Sequence, residues 1–88
     1  MEVKYERKFL QHTSTIENKR LAEEVKRIIA DVKEAKISSE IHQLKKLKGY
    51  KNAYRIRCGD YRVGIVIEKN TVTFVCFMNR KEIYRHFP

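Results

Sequence analysis

The chain has 88 residues with 20 Lys/Arg against 11 Asp/Glu, a net charge of +9, which bounds it to a single domain spanning residues 1–88 with one modest core. No apolar run reaches the length of a membrane span, and the charged stretch Met1 to Lys8 lacks the apolar region of a secretion signal, so a cytoplasmic protein with no membrane contact is expected. The charge is uneven: residues 1–44 carry nine Lys/Arg against eight Asp/Glu, residues 45–88 eleven against three, and this local excess points to a polyanion, either nucleic acid or an acidic protein segment.

Glu2 to Tyr5 reads as a short first strand with Val3 and Tyr5 on one side, and Glu6 to His12 as a short helix burying Phe9 and Leu10. Thr13-Ser14-Thr15 interrupts it. Ser14 and Glu17 stand in capping-box spacing, which predicts the start of a second helix. Leu21, Val25, Ile28, Ile29 and Val32 give that helix an apolar stripe ending near Ala35. Its other face mixes Lys19, Arg20, Glu23, Glu24, Lys26, Arg27 and Asp31, the pattern of a solvated surface. Ser38-Ser39 opens a connector in which Ile41, Leu44 and Leu47 predict one helical turn. Lys45, Lys46, Lys48 and Lys51 surround Gly49 there and are candidate phosphate contacts.

Tyr54 to Val66 predicts two strands joined at Gly59-Asp60, a pair that suits a type II′ hairpin. The turn fixes the register: Cys58 faces Tyr61, Arg57 faces Arg62, Ile56 faces Val63 and Arg55 faces Gly64. Alternation places Tyr54, Ile56, Cys58, Tyr61, Val63 and Ile65 on one face and Arg55, Arg57 and Arg62 on the other. Two arginines directly opposite each other repel, an arrangement that makes sense where an anion sits between them. A second turn at Lys69-Asn70 predicts a last strand from Val72 to Met78, with Val63 facing Cys76 and Arg62 facing Phe77. In that register Val72, Phe74, Cys76 and Met78 join the apolar face, and Thr73, Val75, Phe77 and Asn79 share the arginine face. The expected architecture is α+β, in the order β-α-α-β-β-β: an antiparallel meander with two helices on one face and an open, basic, partly aromatic second face. Cys58 and Cys76 fall on strand positions and lack zinc-ligand spacing, so buried, reduced thiols are expected.

The element order and the C-terminal half together resemble the RelE/ParE superfamily of toxins, and within it the RelE-type messenger-RNA endoribonucleases. The residues that carry the likeness are Leu47-Lys48-Gly49, Tyr54-Arg55-Ile56-Arg57, Gly59-Asp60-Tyr61-Arg62 and Asn79-Arg80-Lys81-Glu82-Ile83-Tyr84. The resemblance implies an RNA-cleaving toxin acting on messages in the ribosome and neutralised by an acidic antitoxin. It assigns Arg55, Arg57, Arg62 and Arg80 to the phosphate and Tyr84 to the residue beyond the last strand. Asn79 stands where close relatives commonly carry histidine, which implies a weakened nuclease, because an amide cannot exchange a proton near neutral pH.

Attack of a 2′-hydroxyl on the neighbouring phosphate needs a base, an acid for the 5′-oxygen, and stabilisation of the charge that builds on phosphorus. Guanidiniums meet the last need and serve poorly for the first two. Tyr84 is the expected proton carrier, with Asn79 beside it. Phe77 and Arg85 are further RNA contacts, Phe77 as a stacking surface. His42 and His86 read as surface histidines, and Glu82 is a weak base candidate. The basic face has no carboxylate pair, so neither a metal nor any other cofactor is expected. A second function fits the same residues: a non-catalytic ParE-like topoisomerase poison, or a degenerate toxin that keeps only antitoxin binding.

Overall fold

Turn chemistry sets the sheet. In the computed structural model, which describes all 88 residues, Gly59 has φ +60° and Asp60 does not share a positive φ, as a type II′ turn requires. It joins strands β3 (Ala53–Cys58) and β4 (Tyr61–Glu68), and the pairings Cys58–Tyr61, Arg57–Arg62, Ile56–Val63 and Arg55–Gly64 are those the turn predicts. Lys69, with φ +54°, turns the chain into β5 (Thr71–Asn79). Strand β1 (Glu2–Tyr5) lies parallel to β5 on its outer side, and with β2 (Leu44–Lys46) at the far edge the order is β1-β5-β4-β3-β2. The class is α+β, as expected, with helices α1 (Arg7–Ser14) and α2 (Lys19–Glu34) on one face. No helix is long and apolar enough to cross a membrane.

Beside the exposure of Leu10, four local expectations change. The connector turns once at Ser38–Glu40 and then forms an edge strand, β2 (Leu44–Lys46), in place of the helical turn. Leu44 pairs with Ile56 and Lys45 with Arg55, and the lysines keep this edge from templating another strand. Helix α2 is capped by Asn18, whose Oδ1 accepts from Leu21 N–H at 3.0 Å; Ser14 instead ends α1, its hydroxyl donating to Gln11 O. Leu10 is exposed.

The third change matters most. A β-bulge in β5 leaves Val75 as the extra residue, so that Ile65 pairs with Phe74 but Gly64 pairs with Cys76 and Val63 with Phe77. Every side chain after the bulge trades faces relative to the unbulged register. Phe77 is buried on the helical side, stacked on Tyr61 with ring centroids 4.9 Å apart, and Asn79 follows it to that side. Cys76 and Met78 move to the arginine side.

Fourth, that side is not fully open. A C-terminal turn, α3 (Ile83–His86), lays Ile83 and Phe87 over Leu47, Ala53 and Cys76 to make a second small core. Gly64 seats it: a Cβ there would stand 2.9 Å from the Phe87 ring and 2.7 Å from Cys76 Sγ. The main core, with Phe9, Val25, Val32, Ile56, Val63, Ile65, Val72 and Phe74, fills the space between the sheet and the two long helices.

Candidate nucleic-acid interface

Arg57 and Arg62 face each other across the hairpin. Their repulsion is relieved from one side only. Arg62 Nη1 donates to Gly59 O and Tyr61 O, both at 2.8 Å, so its guanidinium is fastened to the carbonyls of the hairpin tip. Arg57 is exposed and has no such partner. One residue pair along, Arg55 sits beside Lys45 of β2, its Nη1 reaching Gln43 O at 3.4 Å while its Nε is buried without a partner. Arg80 is tied to the same tip, its backbone N–H donating to Asp60 O at 2.9 Å. Helix α3 is pinned to this side of the sheet by Ile83 and Phe87, and its Tyr84 and Arg85 are exposed. Lys48 and Lys51 are exposed in the β2–β3 loop; Lys46 pairs with Tyr54 and so falls on the opposite face from Lys45.

The one contact in the molecule at ion-pair distance joins His86 Nε2 to Glu82 at 3.8 Å. Every lysine and arginine is therefore without a carboxylate partner, in a chain that has 20 of them. A surface of unneutralised guanidiniums on a fixed sheet is chemically suited to phosphate, which the planar fork grips through two oxygens.

Two residues expected on this surface are elsewhere. Phe77 is buried beneath the helices and offers no open stacking face. Asn79 lies on the same side as Phe77, and its Oδ1 accepts from Lys81 N–H at 2.9 Å, closing the turn that leads into α3. The thiols of Cys58 and Cys76 are buried and unpaired; burial pushes Cys58 up to about 11 and raises Cys76 as well, which makes both poor nucleophiles. No three His, Cys, Asp or Glu side chains group closely enough to hold a metal ion.

One functional group escaped the sequence reading. β1 covers only Thr71 to Phe74 of the nine-residue β5, and α1 takes over the remaining edge. There His12 Nδ1 accepts from Phe77 N–H at 3.1 Å, satisfying a donor that has no strand beside it. Burial, then the charges of Lys8 and His86, hold its imidazole below the ordinary value. The signal was the mismatch in strand lengths, which demands a polar partner from whatever follows β1. His12, Tyr61, Asn79, Glu82 and His86 together line a cleft of about 480 Å³ at this end of the sheet.

No family model matches the chain. Toxin RelE3 of Methanocaldococcus jannaschii is 43% identical to it over 67 residues, 72% of this chain and 76% of that toxin. The chain belongs to the RelE family of toxins. The fold agrees along nearly its whole length. The toxin in the RelB–RelE antitoxin–toxin complex from Methanococcus jannaschii superposes with a TM-score of 0.79 at 30% identity, over 97% of this chain and 99% of that one. The archaeal RelE–RelB complex of Pyrococcus horikoshii gives 0.74 at 19% identity, over 93% and 97%. The intact E. coli RelBE complex gives 0.68 at 18%, over 89% and 94%; these last two speak for the fold alone. The strand meander, the helix pair and the C-terminal turn are thus features of a RelE-type toxin.

Proposed function

We propose that this RelE-family chain is a ribosome-dependent messenger-RNA endoribonuclease of the cytoplasm, held inactive by an acidic antitoxin. The observation that carries the reading is the cross-strand arginine pair, Arg57 and Arg62, unneutralised on a face that also holds Arg55, with Arg80 tied by its backbone to the same hairpin tip. In the reaction, the 2′-oxygen forms a bond to the scissile phosphorus, the bond to the 5′-oxygen breaks, and a cyclic phosphate and a free 5′-hydroxyl result. Arg57, Arg62 and Arg80 hold the non-bridging oxygens and take up the charge of the phosphorane, while Arg55 and Lys45 engage the adjacent phosphate. Lys48, Lys51 and Arg85 extend the positive track.

Proton transfer falls to Tyr84, which is 59% exposed on a helix anchored over the same face. Asn79 Oδ1 is engaged by Lys81 N–H in the turn, so in this reading the phosphate falls to the arginines. The antitoxin partner is supported by the three similar structures, each a complex of a RelE toxin with RelB. A primer-extension scan of messages in cells induced for the chain tests the class. Discrete cuts within translated frames are expected, and Tyr84→Phe should reduce them by about 10²–10⁴. An uncut message pool, with the antitoxin complex intact, would leave the chain a binding module.

A further inference from the structure

The bulge in β5 sends Phe77 and Asn79 to the far side of the sheet from the arginines, and the cleft they help to line has a chemistry unlike the rest of the surface. None of the chain's lysines or arginines lines it, whereas Glu17 and Glu82 do, Glu82 with the ring of His86 3.8 Å away and Glu17 without a partner. Those carboxylates repel phosphate and call for N–H donors. His12 and Asn79 each have one polar atom occupied, Nδ1 by Phe77 N–H and Oδ1 by Lys81 N–H. The protonated His12 Nε2 and the Asn79 amide NH₂ remain as donors. Tyr61, backed by the parallel ring of Phe77 at 4.9 Å, gives the cleft an aromatic wall. At about 480 Å³ the space is within the range that holds a drug-sized or nucleoside-sized ligand.

Its position relates it to the arginine face. Tyr61 directly precedes Arg62, and Asn79 directly precedes Arg80, at the end of the sheet where Arg80 N–H is bound to Asp60 O. Alternation puts Tyr61 and Arg62 on opposite sides of the sheet, and Arg80 begins the turn that leaves β5 at the same end. A nucleotide carries its phosphate and base at opposite ends of a ribose, so it can engage both sides around that end.

We propose that this cleft receives the nucleobase of a ribonucleotide whose phosphate lies on Arg62 and Arg80, and that it selects bases bearing an exocyclic amine. Guanine, adenine and cytosine each present an amine that donates to a carboxylate, while uracil flanks its single N–H with two carbonyls that Glu82 and Glu17 repel. Tyr61 supplies stacking that tolerates any of the three. The proposal rests on the reading of the chain as an RNA-cleaving toxin and names the part of that substrate which the cleft reads.

Nucleosides, which lack phosphate, separate the cleft from the arginines. In an ¹⁵N NMR titration of the whole chain, adenosine, guanosine and cytidine should each shift the Tyr61 and Phe77 amides and the Asn79 side-chain amide. Uridine should bind about tenfold more weakly. The exposed substitutions Glu17→Gln and Glu82→Gln together should erase that preference. Inorganic phosphate should shift the Arg57 and Arg62 amides in wild type and variant alike. Equal binding of all four nucleosides, or none in the cleft, overturns the proposal while leaving the phosphate response intact. Ethylguanidinium occupying the cleft where nucleosides do not would assign it to a basic protein side chain and overturn the proposal too. Nucleoside binding in the cleft with neither phosphate nor oligonucleotide on the arginines would instead defeat the RNA-cleavage reading.

Discussion

Arg57 and Arg62 look equivalent in sequence, and the structure separates them. Arg62 holds two carbonyls of the hairpin tip, whereas Arg57 only repels it. Arg62→Ala should therefore destabilise the fold by about 0.5–1.5 kcal/mol, the lost hydrogen bonds outweighing a few tenths regained from the repulsion. In a domain of this size that lowers Tm by roughly 4–8 °C per kcal/mol. Arg57→Ala should leave Tm unchanged or slightly raised. Both should weaken RNA binding, and each lost phosphate contact should cut the salt dependence of the affinity by about 0.7 in the log–log slope. An Arg57→Ala variant as destabilised as Arg62→Ala would mean that Arg57 has a structural partner. His12 behaves differently again. Its imidazole titrates below the ordinary 6.5, first because it is partly buried and then because of the charges of Lys8 and His86, so the unfolded chain binds the proton more readily. The stabilisation is whole above that ordinary value and is lost as pH falls through the lower folded value. His12→Ala should cost about 1–3 kcal/mol near neutrality by orphaning the Phe77 donor, and the gap to wild type should close as the pH drops. Denaturant melts of both chains across the acid range measure that gap directly; a gap independent of pH would remove His12 from the titration.

At the level of elements, α3 depends on a single glycine two strands away. Gly64→Ala places a methyl against the Phe87 ring and Cys76 Sγ, both rigidly packed, so either the strand or the C-terminal turn must shift. A loss of about 1–3 kcal/mol is expected, together with proteolytic release of the segment after Asn79 and a fall in cleavage through the displaced Tyr84. Phe87→Ala should reproduce the proteolysis. A Gly64→Ala chain with wild-type stability and an intact C-terminus would show that α3 is not seated there. The same element explains where sequence reading stopped. The β3–β4 register was legible because a two-residue turn with glycine first leaves one solution. The helix stripe was legible because five apolar residues at helical spacing have one face. The bulge was not, because it is stabilised by contacts between residues far apart in sequence: Phe77 on Tyr61, and Cys76 under Phe87 opposite Gly64. Strand β2 was not, because three residues have too little pattern and its pairing with β3 outweighs local preference. The positions of Arg55, Arg57 and Arg62 were legible because turn chemistry sets their register; Phe77 and Asn79 were misplaced because they lie beyond the bulge.

Across the whole molecule, the charge asymmetry becomes a surface in which no lysine or arginine is paired, and that produces two salt effects of opposite sign. The free chain is destabilised by its own repulsion, which added salt screens as the Debye length shrinks from about 10 Å at 0.1 M to 3 Å at 1 M. Its Tm should rise over that interval. The proposed acidic antitoxin would use the same charges as attraction, so the same salt should slow complex formation by about 10- to 10³-fold. Dissociation should change far less, because apolar contacts made after docking are little screened. Stopped-flow association and thermal melts on one preparation of toxin separate the two responses. A surface of paired ions would give neither effect, and a complex built on apolar contact alone would raise Tm with salt without slowing association. Reversal of Lys45, Lys48 and Lys51 to glutamate should weaken both slopes together, since in this account one set of unpaired charges produces them. Slopes that separate in that variant would show that the antitoxin and the self-repulsion draw on different residues.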